Sequence, residues 1–151
     1  MTIKKEKIMS TRSSISKVNE DGTITGIYCH FDGYLSGNGD LLLNHYKDSE
    51  KVNKLVSLGD ISSLNEEVDP PKDVEHSYTK PHKGVTVAYG RDRGETGVEP
   101  TVSKNSEDYA KKWSDSWCEY FYQFRNNKWY WGKNSKEINT ELTKEDIDKD
   151  L

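Results

Sequence analysis

The chain has 151 residues, about one domain's length, of which 32% are hydrophobic and 32% charged. No apolar run approaches the roughly 20 residues that cross a bilayer, no secretory signal opens the sequence, and 22 basic against 26 acidic residues leave a net charge of −4, which argues against the broad basic surface that wraps duplex DNA non-specifically. The aliphatic content is low enough to border on disorder, but 4 Trp and 9 Tyr supply large burying surfaces that disordered chains lack, so a small soluble domain with an aromatic core is expected.

Residues 1–10 read as a flexible Lys-rich arm, with Met9 a second candidate start. The β-tolerant run 11–18, the Asp21-Gly22 turn and the Thr/Ile/Tyr-rich run 24–31 predict a β-hairpin. Gly33, Gly37 and Gly39 predict a loop in conformations closed to other side chains. Asp40 is placed to cap a helix bearing Leu41, Leu42, His45 and Tyr46; Asp48 or Ser49 caps a second bearing Val52, Leu55 and Val56, which stops at Gly59. Residues 61–83, interrupted by Pro70, Pro71 and Pro81, predict a long loop. A strand over 84–89 then delivers the charged loop 90–97. Ser106, Glu107 and Asp108 open a helix, with acids where its dipole favours them, and Ala110, Trp113 and Trp117 follow at helical spacing.

Residues 119–125 and 128–132 predict an aromatic hairpin turning at Asn126-Asn127. Strand alternation puts Cys118, Tyr120, Tyr122 and Phe124 on the core face, Phe121 on the other, and Trp129 and Trp131 together on the partner strand. The resulting architecture is a single α+β domain over 11–133, an antiparallel sheet with helices packed on one face, followed by a charged tail, 134–151, that is a frayed helix or disordered. Cys29 and Cys118, with no framework of spacings around them, read as free buried thiols.

Two segments carry residue types suited to chemistry. Tyr28, His30 and Asp32 alternate to one side of a strand end, where imidazole, carboxylate and phenol suit acid/base work or ligand recognition. Without a Cys-x-x-Cys or His-x-x-x-His pair, no metal site is expected. Arg91 and Arg93 share a glycine-bounded loop on one side of an extended segment, and their guanidinium forks match phosphate or carboxylate. Asp92 and Glu95 offer the opposite reading, a loop paired with itself. His30, Asp32 and Glu95 with the two Arg would make base, acid and phosphate stabiliser of a phosphodiester-cleaving ribonuclease, if the fold gathers them. His45, His76 and His82 show no partner pattern and read as helix-face and loop residues; Trp113, Trp117, Trp129 and Trp131 read mostly as core.

Four stretches resemble a family of small, uncharacterised proteins of tailed phages and prophages. They are Met9-Ser10-Thr11-Arg12-Ser13, Ile27-Tyr28-Cys29-His30-Phe31-Asp32-Gly33-Tyr34, Leu58-Gly59-Asp60-Ile61-Ser62-Ser63-Leu64, and Tyr89-Gly90-Arg91-Asp92-Arg93-Gly94-Glu95-Thr96. The likeness spans residues 9–132, with Phe31 where the family usually has Trp. The resemblance implies a phage accessory protein in the host bacterial cytoplasm, an inhibitor of a defence system in the manner of anti-CRISPR proteins. The residues themselves, and not the resemblance, give the expected contact surface: Tyr28, Tyr34, Arg91 and Arg93 meeting a host defence protein, its guide RNA or a nucleotide, with no cofactor needed. One alternative is a small ribonuclease or nucleotide-processing enzyme using His30, Asp32 and Glu95, with a divalent metal as an option; another is a sponge for a signalling nucleotide, built at an oligomer interface.

Overall fold

Small and bulky residues alternate along the first hairpin so that one face can take large side chains and the other a closely packed helix. The computed structural model describes residues 10–151; positions 1–9 of the expected arm lie outside the described residues. Strands β1 (Ser13–Val18) and β2 (Ile24–Cys29) pair antiparallel as expected, Ile15 opposite Ile27. The chain adds β3 (Ile61–Ser63), β4 (Val87–Ala88), β5 (Thr101–Ser103), β6 (Tyr120–Arg125), β7 (Lys128–Gly132) and β8 (Thr140–Glu141). The sheet runs β4-β3-β2-β1-β6-β7-β8, with β5 also paired to β2. It is antiparallel except where β1 meets β6 and β2 meets β3. The aromatic hairpin β6–β7 turns at Asn126 and Asn127, both with positive φ.

The protein is thus an α+β domain, but its helices cover both faces of the sheet. Ile15, Ile27, Cys29, Tyr122, Phe124 and Trp129 face one core, closed by α1 (Asp40–His45), α2 (Ser49–Ser57) and α5 (Lys144–Lys149), which contribute Leu42, Val52, Leu55 and Ile147. Ile24 and Phe121 face the other, closed by α4 (Ser106–Trp113) through Tyr109 and Trp113. The second layer exists because the strands beneath it are small. A Cβ at Gly26 would stand 3.2 Å from the Trp113 ring, and Ser14 hydrogen-bonds the Tyr109 hydroxyl at 2.6 Å. Face alternation along β6 follows the expected pattern, except that Cys118 packs with the second core and not the first.

Several local expectations are revised. Gly33, Gly37 and Gly39 do not take positive φ; Asp32 does, at 59°. A Cβ at Gly33 would instead sit 2.7 Å from the Thr11 carbonyl oxygen, so glycine is needed there for close approach. Leu35–Gly39 form a π-helical turn that runs directly into α1, so Asp40 lies within helix and caps nothing, whereas Asp48 caps α2 by accepting from Lys51 N–H at 2.9 Å. The expected loop 61–83 begins with a strand, and the expected strand 84–89 shortens to Val87–Ala88. The tail is tied down: β8 pairs with β7, Ile138, Leu142 and Ile147 are buried, and Ser36 donates twice to Asp150 at 2.8 Å. No helix among the described residues is long and apolar enough to cross a membrane.

Candidate functional site

Register fixes which candidate residues can meet. Ser13 at the start of β1 lies opposite Cys29 at the end of β2 and Tyr120 at the start of β6. One end of the sheet therefore gathers the residues just outside these positions: Thr11 and Arg12 before β1, His30 after β2, Trp117, Cys118 and Glu119 before β6. Glu119 N–H closes the group on the Arg12 carbonyl at 2.9 Å. Beside it Thr11, Tyr34, Cys118, Glu119, Tyr120 and Lys133 line an open cavity of about 520 Å³.

A directed hydrogen-bond chain crosses this end. Arg12 Nε donates to the Tyr28 hydroxyl at 2.8 Å, and that hydroxyl lies 2.8 Å from His30 Nδ1. Tyr28 thus holds Nδ1 on one side of the imidazole, and the Ser10 hydroxyl lies 3.4 Å from Nε2 on the other. Burial, then the charge of Arg12, pushes the His30 pKa below 6.5. Titration of the imidazole by NMR is expected to give a midpoint below 6.5, rising in Arg12→Gln; a midpoint unchanged by that substitution would remove Arg12 as a cause. Burial also raises the pKa of Tyr28, against the hydrogen bond from Arg12, and lifts Cys118 to about 11, so it stays a thiol.

Asp32 does not join His30. Its left-handed backbone turns the carboxylate back to accept from the Tyr34 hydroxyl at 3.1 Å. The Arg91 segment is also differently built from the extended loop expected. Tyr89–Arg93 form a short helix, α3, because Asp92 reaches back to Ala88 N–H at 2.7 Å and Gly94 ends the turn with φ 80°. Arg91 is consumed within the chain: Nε donates to Asp92 at 2.8 Å, Nη1 to the Val68 carbonyl at 2.7 Å and to Asp69 at 3.2 Å, Nη2 to the Thr86 carbonyl at 2.8 Å. Arg93 pairs with Glu95 at 3.2 Å and lies over the Tyr78 ring. The partners of His30 and those of Arg91 are disjoint. Among the described residues no three His, Cys, Asp or Glu side chains gather as a metal-ion cage would need.

His76, which the sequence leaves without a partner, completes the Arg91 network. Its Nδ1 accepts from His82 N–H at 2.9 Å, so Nε2 carries the proton, shared between Asp92 Oδ2 at 3.2 Å and the Thr86 carbonyl at 3.1 Å. Both ring nitrogens are committed, and the side chain is 1% exposed, so this His–Asp pair is a clasp within residues 76–92 with no lone pair to offer a substrate. Burial opposes the charge on Asp92, but the Arg91 guanidinium and the Ala88 N–H outweigh it and hold the carboxyl below its usual value.

The structure adds Trp117, which sequence spacing placed in a helix. Ser114 and Ser116 hydroxyls take the carbonyls of Lys111 and Trp113 at 3.0 and 2.8 Å, ending α4 one turn early. Trp117 is left 82% exposed with φ 70°, a conformation rare for a bulky residue. Comparison with known proteins gives no match to a family model, a curated protein or a solved structure.

Proposed function

We propose that the chain is a phage-encoded accessory protein acting in the host bacterial cytoplasm, an inhibitor of a defence system in the anti-CRISPR manner, and that it works by binding a host protein through the Trp117, Arg12 and Tyr28 end of the sheet. The phage assignment rests on the motif resemblance. The mode of action rests on Trp117: an indole 82% exposed and held in a left-handed turn is costly to keep in water. Trp, Tyr and Arg are the residue types that dominate protein interfaces. Among the described residues Arg12 hydrogen-bonds a neutral phenol and no carboxylate, in contrast to Arg91 and Arg93. Binding is favoured over turnover because His30 is engaged at both ring nitrogens by Tyr28 and Ser10, while Asp32 and Glu95 are each held by another side chain.

The test is plaquing of a CRISPR-targeted phage on a host expressing the protein. Wild type is expected to restore plaques. Trp117→Ala, folded by circular dichroism, is expected to lose affinity by about 30-fold, the effect of one central anchor, and with it the rescue. Full rescue by folded Trp117→Ala would sink the assigned surface, and failure of wild type on every defended host would sink the inhibitor reading.

A further inference from the structure

A second feature lies at the far end of the same strands. Five residue steps along β6, from Tyr120 to Arg125, carry the chain about 17 Å from the Arg12 surface. There a cavity of about 370 Å³ takes its polar lining from Ser106, Gln123, Arg125, Ser135, Lys136 and Asn139. The volume suits a small molecule. Its lining holds two cations and no carboxylate, in a chain whose net charge is −4; four other cavities each carry at least one acidic residue.

Arg125 is aimed rather than neutralised. Its Nη1 donates to Gln123 Oε1 at 2.7 Å and to the Ile138 carbonyl at 2.9 Å, and the guanidinium stacks on Tyr130 at 3.9 Å from the ring centre. Gln123 is 5% exposed and is itself fixed by donating to Ser16 Oγ at 3.4 Å. These acceptors are neutral, so they orient the fork and leave its charge intact. Among the described residues Nη2 and Nε of Arg125 make no hydrogen bond, and neither Arg125 nor Lys136 has a carboxylate partner. The contrast with Arg91, whose fork is spent on Asp92 and Asp69, is complete.

We propose that this cavity binds the phosphate group of a small ligand, with Arg125 gripping two phosphate oxygens through Nη2 and Nε and Lys136 supplying the second positive charge. A guanidinium fork held by a buried amide is the arrangement that reads a tetrahedral oxyanion with two parallel bonds. Ser106 and Ser135 hydroxyls and the Asn139 amide complete a polar wall around it. The site is independent of the Trp117 surface, and either can fail alone.

Thermal unfolding with AMP, inorganic phosphate and adenosine tests it. At a hundredfold excess over Kd, AMP is expected to raise Tm by roughly 5–10 °C, and adenosine to leave it unchanged. A shift from AMP well above that from phosphate assigns an organic phosphate; equal shifts assign the free anion, and both support the site. Arg125→Gln is expected to weaken binding at least about tenfold. Because Arg125 also ties Ile138, Lys136→Gln provides a variant outside the hydrogen-bonded frame, expected to weaken binding about threefold, while Lys111→Gln on the exposed side of α4 changes nothing. Adenosine shifting Tm as far as AMP, no shift from either AMP or phosphate, or wild-type affinity in both the Arg125 and Lys136 variants would overturn the proposal.

Discussion

Asp92→Ala is expected to destabilise the protein by about 3 kcal/mol, a fall in Tm of roughly 10 °C. The carboxylate is 3% exposed and accepts from Ala88 N–H, His76 Nε2 and the Arg91 guanidinium. Removing it leaves the Ala88 amide without its acceptor and takes the charged partner from the Arg91 guanidinium and the His76 imidazole, which keep the Thr86 carbonyl and, for Arg91, Val68 and Asp69; breaking such a network from one side is the costly direction. Arg91 is 27% exposed, so water softens the loss and the lower end of the range applies. The damage should be local first. Tyr78 N–H bonds the Asp92 carbonyl and His82 N–H bonds His76, so hydrogen exchange at those two amides should accelerate before the sheet responds. The same carboxylate sets an acid limit. Its folded pKa lies below the ordinary value of 3.8, so the unfolded chain binds the extra proton, and the stabilisation is full above that value and is lost as pH falls through the folded one. Urea unfolding at pH 7 and pH 3 should show Asp92→Ala with a smaller loss on acidification than wild type; equal losses would remove Asp92 from the acid response.

That network also shows where the sequence is legible. Both hairpins could be read from period-two alternation and from turn residues that tolerate positive φ, Gly22 and the Asn126-Asn127 pair. Asp48 could be read as a cap because its partner is three residues away. The state of Arg91 could not, because it is decided by Asp69 and Val68, over twenty positions distant, across a proline-broken segment with no period of its own. The sequence singled out the two arginines that acidic groups neutralise, and passed over Arg12 and Arg125, whose acceptors are neutral: the Tyr28 hydroxyl on the neighbouring strand for Arg12, and Gln123 and the distant Ile138 carbonyl for Arg125. Trp117 was hidden by its spacing: four positions after Trp113 it continues a helical stripe, and only the serine hydroxyls at Ser114 and Ser116 end the helix before it. The tail was illegible for a related reason. A two-residue strand and a six-residue helix have no stable local form, and Ile138, Leu142 and Ile147 order only because the sheet offers them a place.

Trp129→Ala is expected to cost about 3–5 kcal/mol, the largest single loss in the first core. Trp129 is 3% exposed, packs its ring against Phe124 at 5.1 Å, and donates Nε1–H to the Tyr46 carbonyl at 2.9 Å. Its own carbonyl accepts Leu142 N–H at 2.9 Å. One residue thus joins the end of α1, the aromatic hairpin and the tail, which the thin aliphatic supply could not hold together alone. Trp129→Phe separates the two contributions: it keeps most of the ring volume but leaves the buried Tyr46 carbonyl without its donor, a loss of about 1–3 kcal/mol. Trp117→Ala, by contrast, removes a side chain that water already surrounds and is expected to change stability by less than about 0.5 kcal/mol. Equilibrium denaturation of the three variants distinguishes an indole retained for the core from one retained for a partner. A Trp117→Ala loss matching that of Trp129→Ala would place Trp117 in the core and withdraw the surface assigned to it.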